Sequence, residues 1–221
     1  MIRVATIGAA SSANKGAASM LQALLDHLPE TVGPCEVAVL TTYPEADAAE
    51  PPAPPEGVAL RLVDASPLRL AALQVPLAAA ARLVGGRAVD LAEREPAVAA
   101  LRHADLVVDL AGTSFSDGRG VPTLAYNTLM TGLPLLSGAP TVKLAQALGP
   151  FDEPLNRVVA PFVLRRLAAV CPRGDASTRN VERLGLARVH PAADLAFLMR
   201  VPDTAHEAAA ALVGEGPYVA V

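Results

Sequence analysis

Residues 1–16 read Met-Ile-Arg-Val-Ala-Thr-Ile-Gly-Ala-Ala-Ser-Ser-Ala-Asn-Lys-Gly, an apolar run that leads into a loop of small residues. The run at residues 2–7 has the length and composition of a buried strand. After the loop at residues 8–16, apolar side chains recur at helical spacing up to Leu28, and Pro29 and Gly33 are expected to end that helix. A buried strand that passes through a loop into a helix indicates the first unit of a parallel α/β sheet.

The same alternation of short apolar runs and helical patterns continues along the chain. Further strands are predicted at residues 36–41, 58–63, 105–111, 141–147 and 168–171, with short strand ends at 188–190 and 194–197. Helices are predicted at residues 67–84, with a break or kink near Pro76, and at 95–102, 122–130, 156–167, 177–184 and 203–213. The Pro-rich residues 43–57 are predicted to form a surface loop without a helix. The pattern therefore predicts the α/β class, with a parallel sheet flanked by helices.

The composition excludes several classes of protein. The 221 residues are 52% hydrophobic, which is enough for a sizeable core and too apolar for a disordered chain. The 18 Lys and Arg residues against 22 Asp and Glu give a net charge of −4, and only 3% of residues are aromatic. Such a chain lacks the basic surface and the stacking platforms of nucleic-acid-binding proteins, so no nucleic-acid partner is expected.

The cysteines and the N-terminal residues predict a cytoplasmic location. Cys35 and Cys171 each lie in an apolar stretch, which is typical of buried thiols in a reducing compartment. The first residues resemble a strand and lack the pattern of a signal peptide. Residues 70–84 are the most membrane-like stretch, but Pro76 interrupts them and they fall short of the roughly 20 apolar residues of a membrane span. Peripheral membrane contact by the helix at residues 67–84 is left open.

The C-terminal residues predict a second domain. Residues 1–200 account for one domain, and residues 201–221 are expected to form a linker helix followed by the start of another α/β domain at Tyr218. The basis is that Gly216-Pro-Tyr-Val-Ala-Val221 begins like a strand and lacks the turn chemistry with which buried strands end. The alternative is an edge strand of the same sheet.

Three loops are expected at the carboxyl ends of the strands, where open parallel sheets bind ligands. In the first loop, residues 8–16, small side chains let a ligand approach the backbone. The helix that follows offers free N–H groups and the positive end of its dipole, which favour binding of an anion. Its pattern is neither G-x-G-x-x-G nor G-x-x-x-x-G-K-(S/T), so neither a dinucleotide cofactor nor a P-loop nucleotide is expected. Asn14 is interpreted either as a helix cap or as a ligand contact.

The second loop, residues 112–120, contains one carboxylate, Asp117. Asp117 is interpreted either as a turn former or cap, or as a general base for a sugar hydroxyl. Asp109, inside the preceding strand, is interpreted either as buried and hydrogen-bonded to a neighbouring loop or as facing the site from the strand end, and the structural role is favoured. In the third loop, Arg173 would either clamp an anion or anchor a loop, and Ser177 or Asp175 would cap a helix. No His, Cys or Asp cluster has the spacing of a metal site, so no metal is expected.

Five blocks in order carry a resemblance to a known family. They read Asn14-Lys-Gly-Ala-Ala-Ser-Met20, Ala104-Asp-Leu-Val-Val-Asp-Leu-Ala-Gly-Thr-Ser-Phe-Ser-Asp117, Ala145-Gln-Ala-Leu-Gly-Pro-Phe151, Arg173-Gly-Asp-Ala-Ser177 with Leu184-Gly185, and Asp194-Leu-Ala-Phe197. Together they resemble the N-terminal domain of the polysaccharide pyruvyl transferase family. The chain departs from the family pattern at three positions. Ala18 stands where the family often has Glu, and Ala111 replaces the first glycine of a Gly-Gly pair. Gly174 stands where an acidic residue commonly follows the arginine.

The resemblance implies a Rossmann-like domain, the N-terminal half of a glycosyltransferase-B-like fold whose active site lies between two domains. It also implies transfer of a pyruvyl group from phosphoenolpyruvate to a sugar of a cell-surface polysaccharide or its precursor, forming a ketal. Asp117 is the expected catalytic base, and the expected substrate-binding residues are Asn14, Lys15, Gly16, Gly112, Thr113, Ser114, Arg173 and Ser177. Few cations lie in these loops, namely Lys15, Arg119 and Arg173. The groups that bind the anionic donor are therefore expected on a C-terminal domain absent from residues 1–221, and these residues are expected to be inactive alone.

Two other functions fit the same architecture. One is a nucleotide-sugar glycosyltransferase. The other is a degenerate homologue that binds or scaffolds without catalysis, which the departures at Ala18, Ala111 and Gly174 suggest.

Overall fold

A computed structural model describes residues 1–12, 14–200 and 203–213. Every pair of neighbouring strands in this part is parallel, in the order β3-β2-β1-β4-β6-β5, and β7 also pairs with β6. The strands are β1 (Ile2–Ile7), β2 (Cys35–Thr41), β3 (Val58–Asp64), β4 (Leu106–Asp109), β5 (Thr113–Ser114), β6 (Thr141–Leu148) and β7 (Ala169–Pro172). The predicted α/β fold with a Rossmann-like parallel sheet is confirmed.

Helices cover both faces of this sheet. They are α1 (Lys15–Val32), α2 (Pro44–Ala49), α3 (Pro67–Arg69), a π-helix (Leu70–Gln74), α4 (Val75–Leu83), α5 (Arg87–Arg94), α6 (Pro96–Arg102), α7 (Gly120–Ser137), α8 (Pro154–Leu164), α9 (Gly174–Glu182), a 3-10 helix (Leu195–Leu198) and α10 (Asp203–Val213). Among the helices described, none is both long enough and apolar enough to cross a bilayer.

The core forms on the two faces because side chains of a strand alternate between them. In β1, Val4 packs with the buried leucines of α1, whereas Ala5 and Ile7 pack against α4, α6 and α7 on the other face. Both sets are almost fully buried. A third apolar cluster lies around Phe115 and holds α8 and α9 against β6 and β7. The helices are therefore fixed against the sheet, and the loops at the strand ends are held at its carboxyl edge.

The order of the strands places a crevice between β1 and β4. The chain leaves β1 into α1 on one face, and it leaves β4 towards α7 on the other face. Ile7 and Asp109, the last residues of the two strands, are partners in the parallel register. Adjacent strands whose connections diverge to opposite faces leave an opening above their carboxyl ends, which is where doubly wound folds bind ligands.

Several element predictions are corrected by the structure. Residues 194–197 do not form a strand end, because the Asp194 carboxylate accepts the Ala196 N–H at 3.0 Å and caps the 3-10 helix instead. The predicted end of α1 at Gly33 is confirmed, but Pro29 lies inside the helix and does not end it, since the proline removes one hydrogen bond while the buried leucines keep the helix on the sheet.

The stretch at residues 43–57 also differs from its prediction, because it contains α2. Pro44 occupies the first turn, where a missing N–H costs nothing, and Asp47 anchors the helix by its hydrogen bonds. Helix α5 is an additional element, and α7 is longer than its prediction. Cys35 is buried as expected, whereas Cys171 is only partly buried. The strand expected near Tyr218 lies outside the described residues, so the second domain stays a prediction.

Candidate functional site

A cleft of about 460 Å³ opens at the carboxyl ends of β1 and β4. We call it the switch-point cleft. It is lined by Gly8, Asn14, Gly16, Ala17, Met20, Asp109, Ala111, Gly112, Thr113, Ser114, Arg119, Thr123, Tyr126, Asn127, Met130, Thr131, Lys143, Arg173, Asp194 and Ala196. Its walls therefore come from α1, the loop after β4, α7 and the segment that follows β7.

The first wall is the loop between β1 and α1. Asn14 caps α1, because its side-chain oxygen accepts the N–H groups of Gly16 at 2.8 Å and Ala17 at 3.3 Å. Gly8 has a φ of +80°, and a Cβ there would lie 2.7 Å from the backbone nitrogen of Ala111. Only glycine allows this close approach of the β1 and β4 loops. Asn14 thus serves as a cap and also lines the cleft, so the two interpretations of this residue are compatible.

A charged pair lies buried in the floor of the cleft. The Lys143 ammonium donates to Asp109 Oδ2 at 2.5 Å, to Ser114 Oγ at 3.2 Å and to Gln146 Oε1 at 3.3 Å. Asp109 also accepts hydrogen bonds from Thr131 at 3.0 Å and from Gln146 at 2.8 Å. All three protons of the ammonium are therefore used, and the expected structural role of Asp109 agrees with these contacts. Burial lowers the pKa of Lys143, and the nearby Asp109 carboxylate opposes that shift.

An irregularity in β6 brings Lys143 and Gln146 together. In a regular strand, residues three apart point to opposite faces of the sheet. The pairing of β6 with β7 shifts register between these two residues, and Ala145 takes a φ of +53°. Phe115, on the facing loop, also has a positive φ, of +51°, and its ring centre lies 5.1 Å from Lys143 Nζ. Strained backbone of this kind costs about 1–3 kcal/mol per residue and is concentrated at functional sites.

Sequence reasoning missed Lys143 and Gln146. A signal for Lys143 was present, because it is one of two lysines in the chain and lies inside an apolar strand pattern. A charged residue at such a position is buried only with a partner. Gln146 had a signal too, because it lies in one of the five family blocks, but its orientation towards Lys143 depends on the irregularity at Ala145.

Arginine residues occupy two other parts of the wall. Arg173 pairs with Asp194, and its second terminal nitrogen donates to the Gly112 carbonyl at 3.2 Å. Arg119 is exposed and donates to the Thr113 carbonyl at 3.4 Å. Arg173 therefore anchors two loops to each other at the rim of the cleft, in agreement with one of its two expected roles.

The structure brings most of the predicted binding residues together but leaves two outside the lining. Asn14, Gly16, Gly112, Thr113, Ser114 and Arg173 all line the switch-point cleft. Lys15 is exposed at the start of α1 and is not in the lining. Ser177 is buried, and its hydroxyl accepts the Leu148 N–H at 3.1 Å, so it joins α9 to β6. For these two residues substrate binding stays a prediction without a contact that supports it.

Asp117 also lies outside the lining of the cleft, and its carboxylate binds residues at the start of α8. Its carboxylate accepts the N–H groups of Asp152 at 2.6 Å and Glu153 at 3.2 Å, and the Asn156 amide at 2.7 Å. Burial raises the pKa of Asp117, but these hydrogen bonds outweigh it and hold the pKa below its usual value. These contacts give Asp117 a structural role that differs from the predicted turn former or cap, because they hold its loop against the turn before α8. Its role as a base stays a prediction.

The described residues include no group of three or more His, Cys, Asp or Glu side chains that could hold a metal ion. The lining combines neutral hydrogen-bonding groups with paired charges. Thr113, Thr123 and Asn127 contribute neutral polar groups, while Lys143 and Arg173 each face an aspartate. Such a surface suits a ligand with many hydroxyl groups better than a small ligand with several negative charges.

Two known proteins show a weak similarity to this chain. Phenylacrylic acid decarboxylase from Aquifex aeolicus, a solved structure, shares 14% sequence identity and a TM-score of 0.33, over 99% of this chain and 100% of that one. The amylovoran biosynthesis protein AmsJ from Erwinia amylovora is 30% identical over 102 residues, which are 45% of this chain and 24% of AmsJ. The aligned part of the chain thus spans about a quarter of that relative.

One protein family matches most of the chain. The family described as polysaccharide pyruvyl transferase matches residues 14–213. This range begins at the Asn14 cap and includes the loops and strand ends that build the other walls of the cleft. The expected resemblance is confirmed, and the chain belongs to the polysaccharide pyruvyl transferase family.

Proposed function

We propose that this protein transfers a pyruvyl group from phosphoenolpyruvate to a sugar during polysaccharide biosynthesis, and that the switch-point cleft holds the sugar. The supporting observation is the lining of the cleft by neutral donors and acceptors at the β1–β4 crevice. In this cleft Lys143 and Arg173 are already paired with Asp109 and Asp194. Arg119 is the cation of the described lining without a carboxylate partner in the structure. The acceptor hydroxyls therefore fit this surface better than the phosphate and carboxylate of the donor.

The reaction joins two sugar hydroxyls to one carbon of the donor. Both oxygens bond to C2 of phosphoenolpyruvate, the methylene carbon gains a proton and becomes a methyl group, and the bond from C2 to the phosphate oxygen breaks. The two hydroxyl protons are removed, and inorganic phosphate leaves. A base must lie within hydrogen-bond reach of the attacking hydroxyl. Asp117 is the candidate base from the sequence, and its alternative role is to hold its loop against α8.

The test is an assay of the full-length protein with phosphoenolpyruvate and a panel of glycans. We expect release of phosphate together with a pyruvyl ketal detected on the glycan by mass spectrometry and NMR. Absence of both products over the whole panel would contradict the proposal. Binding of a uridine nucleotide without binding of phosphoenolpyruvate would instead support a glycosyltransferase, and binding of neither would support the scaffolding homologue.

A matched pair of variants on α7 tests the location of the sugar. Thr123 lines the switch-point cleft, whereas Thr128 lies on the same helix outside it and donates to the Leu124 carbonyl at 2.7 Å. We expect Thr123→Val to raise the KM for the glycan about 2- to 10-fold, because one hydrogen bond is worth about 0.5–1.5 kcal/mol. Thr128→Val should leave the KM unchanged. Equal effects of the two substitutions would place the acceptor elsewhere.

A further inference from the structure

A second cavity of about 500 Å³ lies beside the switch-point cleft. We call it the side lobe. The residues that line it alone are Ala9 and Ala10 in the loop after β1, and Leu40, Thr42, Tyr43 and Pro67 at the ends of β2 and β3. Each cavity falls in the range of roughly 300–1,000 Å³ typical of ligand sites. The two share the lining residues Gly8, Asn14, Ala17, Arg119 and Tyr126. The two cavities therefore adjoin at the carboxyl edge of the sheet, and together we call them the groove.

The side lobe differs from the switch-point cleft in its chemistry. Leu40 is buried in its wall, and Tyr43, which also lines the side lobe, is 53% exposed. Tyr126 is half-buried at the junction of the two cavities. Among the described residues that line the side lobe there is no Asp or Glu. The lobe thus combines aromatic and aliphatic surface with the hydroxyls of Thr42 and the two tyrosines, in a chain with only three tyrosines.

The backbone of Tyr43 is held in place by buried groups. The Tyr43 N–H donates to Thr41 Oγ1 at 2.9 Å, and that hydroxyl donates to the buried carboxylate of Asp47. Asp47 also accepts the Ser12 N–H at 2.8 Å. This bond joins the segment of Tyr43, just before α2, to the loop before α1. An exposed aromatic ring on a fixed backbone loses little conformational entropy when a ligand packs on it.

We propose that the side lobe binds the sugar unit adjacent to the one that is modified, so that the acceptor is a chain of at least two sugars. This inference rests on the proposed function. A pyranose ring has an apolar face of C–H groups and a rim of hydroxyls, which matches the Tyr43 ring and the polar edge of the lobe. Because the two cavities adjoin, a glycan chain that occupies the switch-point cleft can extend along the sheet edge into the side lobe.

The experiment compares short and long acceptors on variants of the full-length protein. The probes are methyl glycosides of glucose, galactose and mannose, and di- and tetrasaccharides of the same sugars. We expect Tyr43→Ala to lower kcat/KM for the longer acceptors about 5- to 10-fold, since aromatic contacts of this kind contribute energies of that order. Its effect on the monosaccharides should stay within about 2-fold. Tyr43→Phe should retain most of the preference for chains, because it keeps the ring.

Phe162→Ala is the matched control, because Phe162 is also an exposed aromatic residue but lies on α8 away from the groove. Equal losses on short and long acceptors, or no loss with Tyr43→Ala, would overturn the role of the side lobe while the transferase activity stands. Calorimetry measures binding of the tetrasaccharides independently of pyruvyl transfer. Glycan binding that depends on Tyr43 without any pyruvyl transfer would support the side lobe and contradict the proposed function.

Discussion

Lys143 is a positive charge in the middle of a buried strand, and its energetics follow from its partners. Its exposed fraction is 0%, and Asp109, Ser114 and Gln146 accept its three protons. A buried pair of this kind adds little net stability compared with apolar residues, but loss of one partner leaves the other charge without compensation. The pair therefore matters for the shape of the cleft floor, since it holds Ser114 and β6 in one arrangement.

The first residue-scale prediction concerns this pair. We expect Lys143→Met to lower the free energy of unfolding by about 3–5 kcal/mol, because Asp109 stays buried and unpaired. The double variant Lys143→Met with Asp109→Asn should recover part of that loss, since no net charge remains buried. Urea denaturation measures both. A loss below about 1 kcal/mol for the single variant would show that the pair is not buried as described.

The second residue-scale prediction concerns Asp117. The substitution Asp117→Asn keeps one acceptor oxygen and removes the charge that strengthens its hydrogen bonds to the backbone of Asp152 and Glu153. We expect the free energy of unfolding to fall by about 0.5–1.5 kcal/mol, and this change is modest because the carboxylate is partly exposed. Turnover should fall less than about 10-fold.

The same variant also tests the base role that the sequence predicts for Asp117. A loss of about 10²- to 10⁴-fold in kcat with unchanged stability is what removal of a general base produces. Measurement of denaturation and turnover on one preparation of Asp117→Asn distinguishes the two roles, because each role changes a different quantity.

At the scale of elements, α2 fixes the loop before α1 through a buried carboxylate. Asp47 accepts hydrogen bonds from Ser11, Ser12 and Thr41, and it is fully buried. Burial raises the pKa of Asp47, yet these hydrogen bonds outweigh it and the pKa lies below 3.8, the value of an ordinary Asp. The ionised group is therefore bound more favourably in the folded protein than in the unfolded chain.

The sign of this shift gives an element-scale prediction. A depressed pKa contributes stability that is present above pH 3.8 and is lost as the pH falls through the lower pKa of the folded state. We expect Asp47→Asn to flatten the dependence of unfolding free energy on pH below 3.8. The control is Glu45→Gln, an exposed residue of the same helix, which should retain the slope of the parent protein. The same slope in the Asp47 variant as in the parent would contradict this assignment.

Element predictions succeeded where the pattern is local. Strand β1 was predicted with its observed limits, because an apolar run followed by a glycine-containing loop can be recognised from consecutive residues alone. Helix α2 was missed and Pro29 was wrongly expected to help end α1, although Gly33 was correct, since both features depend on contacts with distant residues. The 3-10 helix after Asp194 was missed for a similar reason, because its apolar residues resemble a short strand until the Asp194 cap is known.

At the scale of the whole molecule, the strand order decides where the groove lies. Because β1 and β4 are neighbours, loops that are about 100 residues apart in sequence share one cleft, as the Ile7 and Asp109 register shows. The sequence predicted that loops would meet at the carboxyl edge, and Asn14 and Arg173 do line the same cavity. Asp117 was expected with them, but its side chain is held by the turn before α8.

The sequence alone determined the fold class, the family resemblance and most of the loops that line the cleft, because periodicity, turn residues and ordered motifs are properties of neighbouring residues. The tertiary structure alone decided that Lys143 and Gln146 meet Asp109, that Ser177 and Asp117 hold helices in place, and that Tyr43 continues the groove beyond the cleft. These arrangements depend on strand order, on a register shift in β6 and on which face each side chain takes, and such features arise only when distant segments pack together.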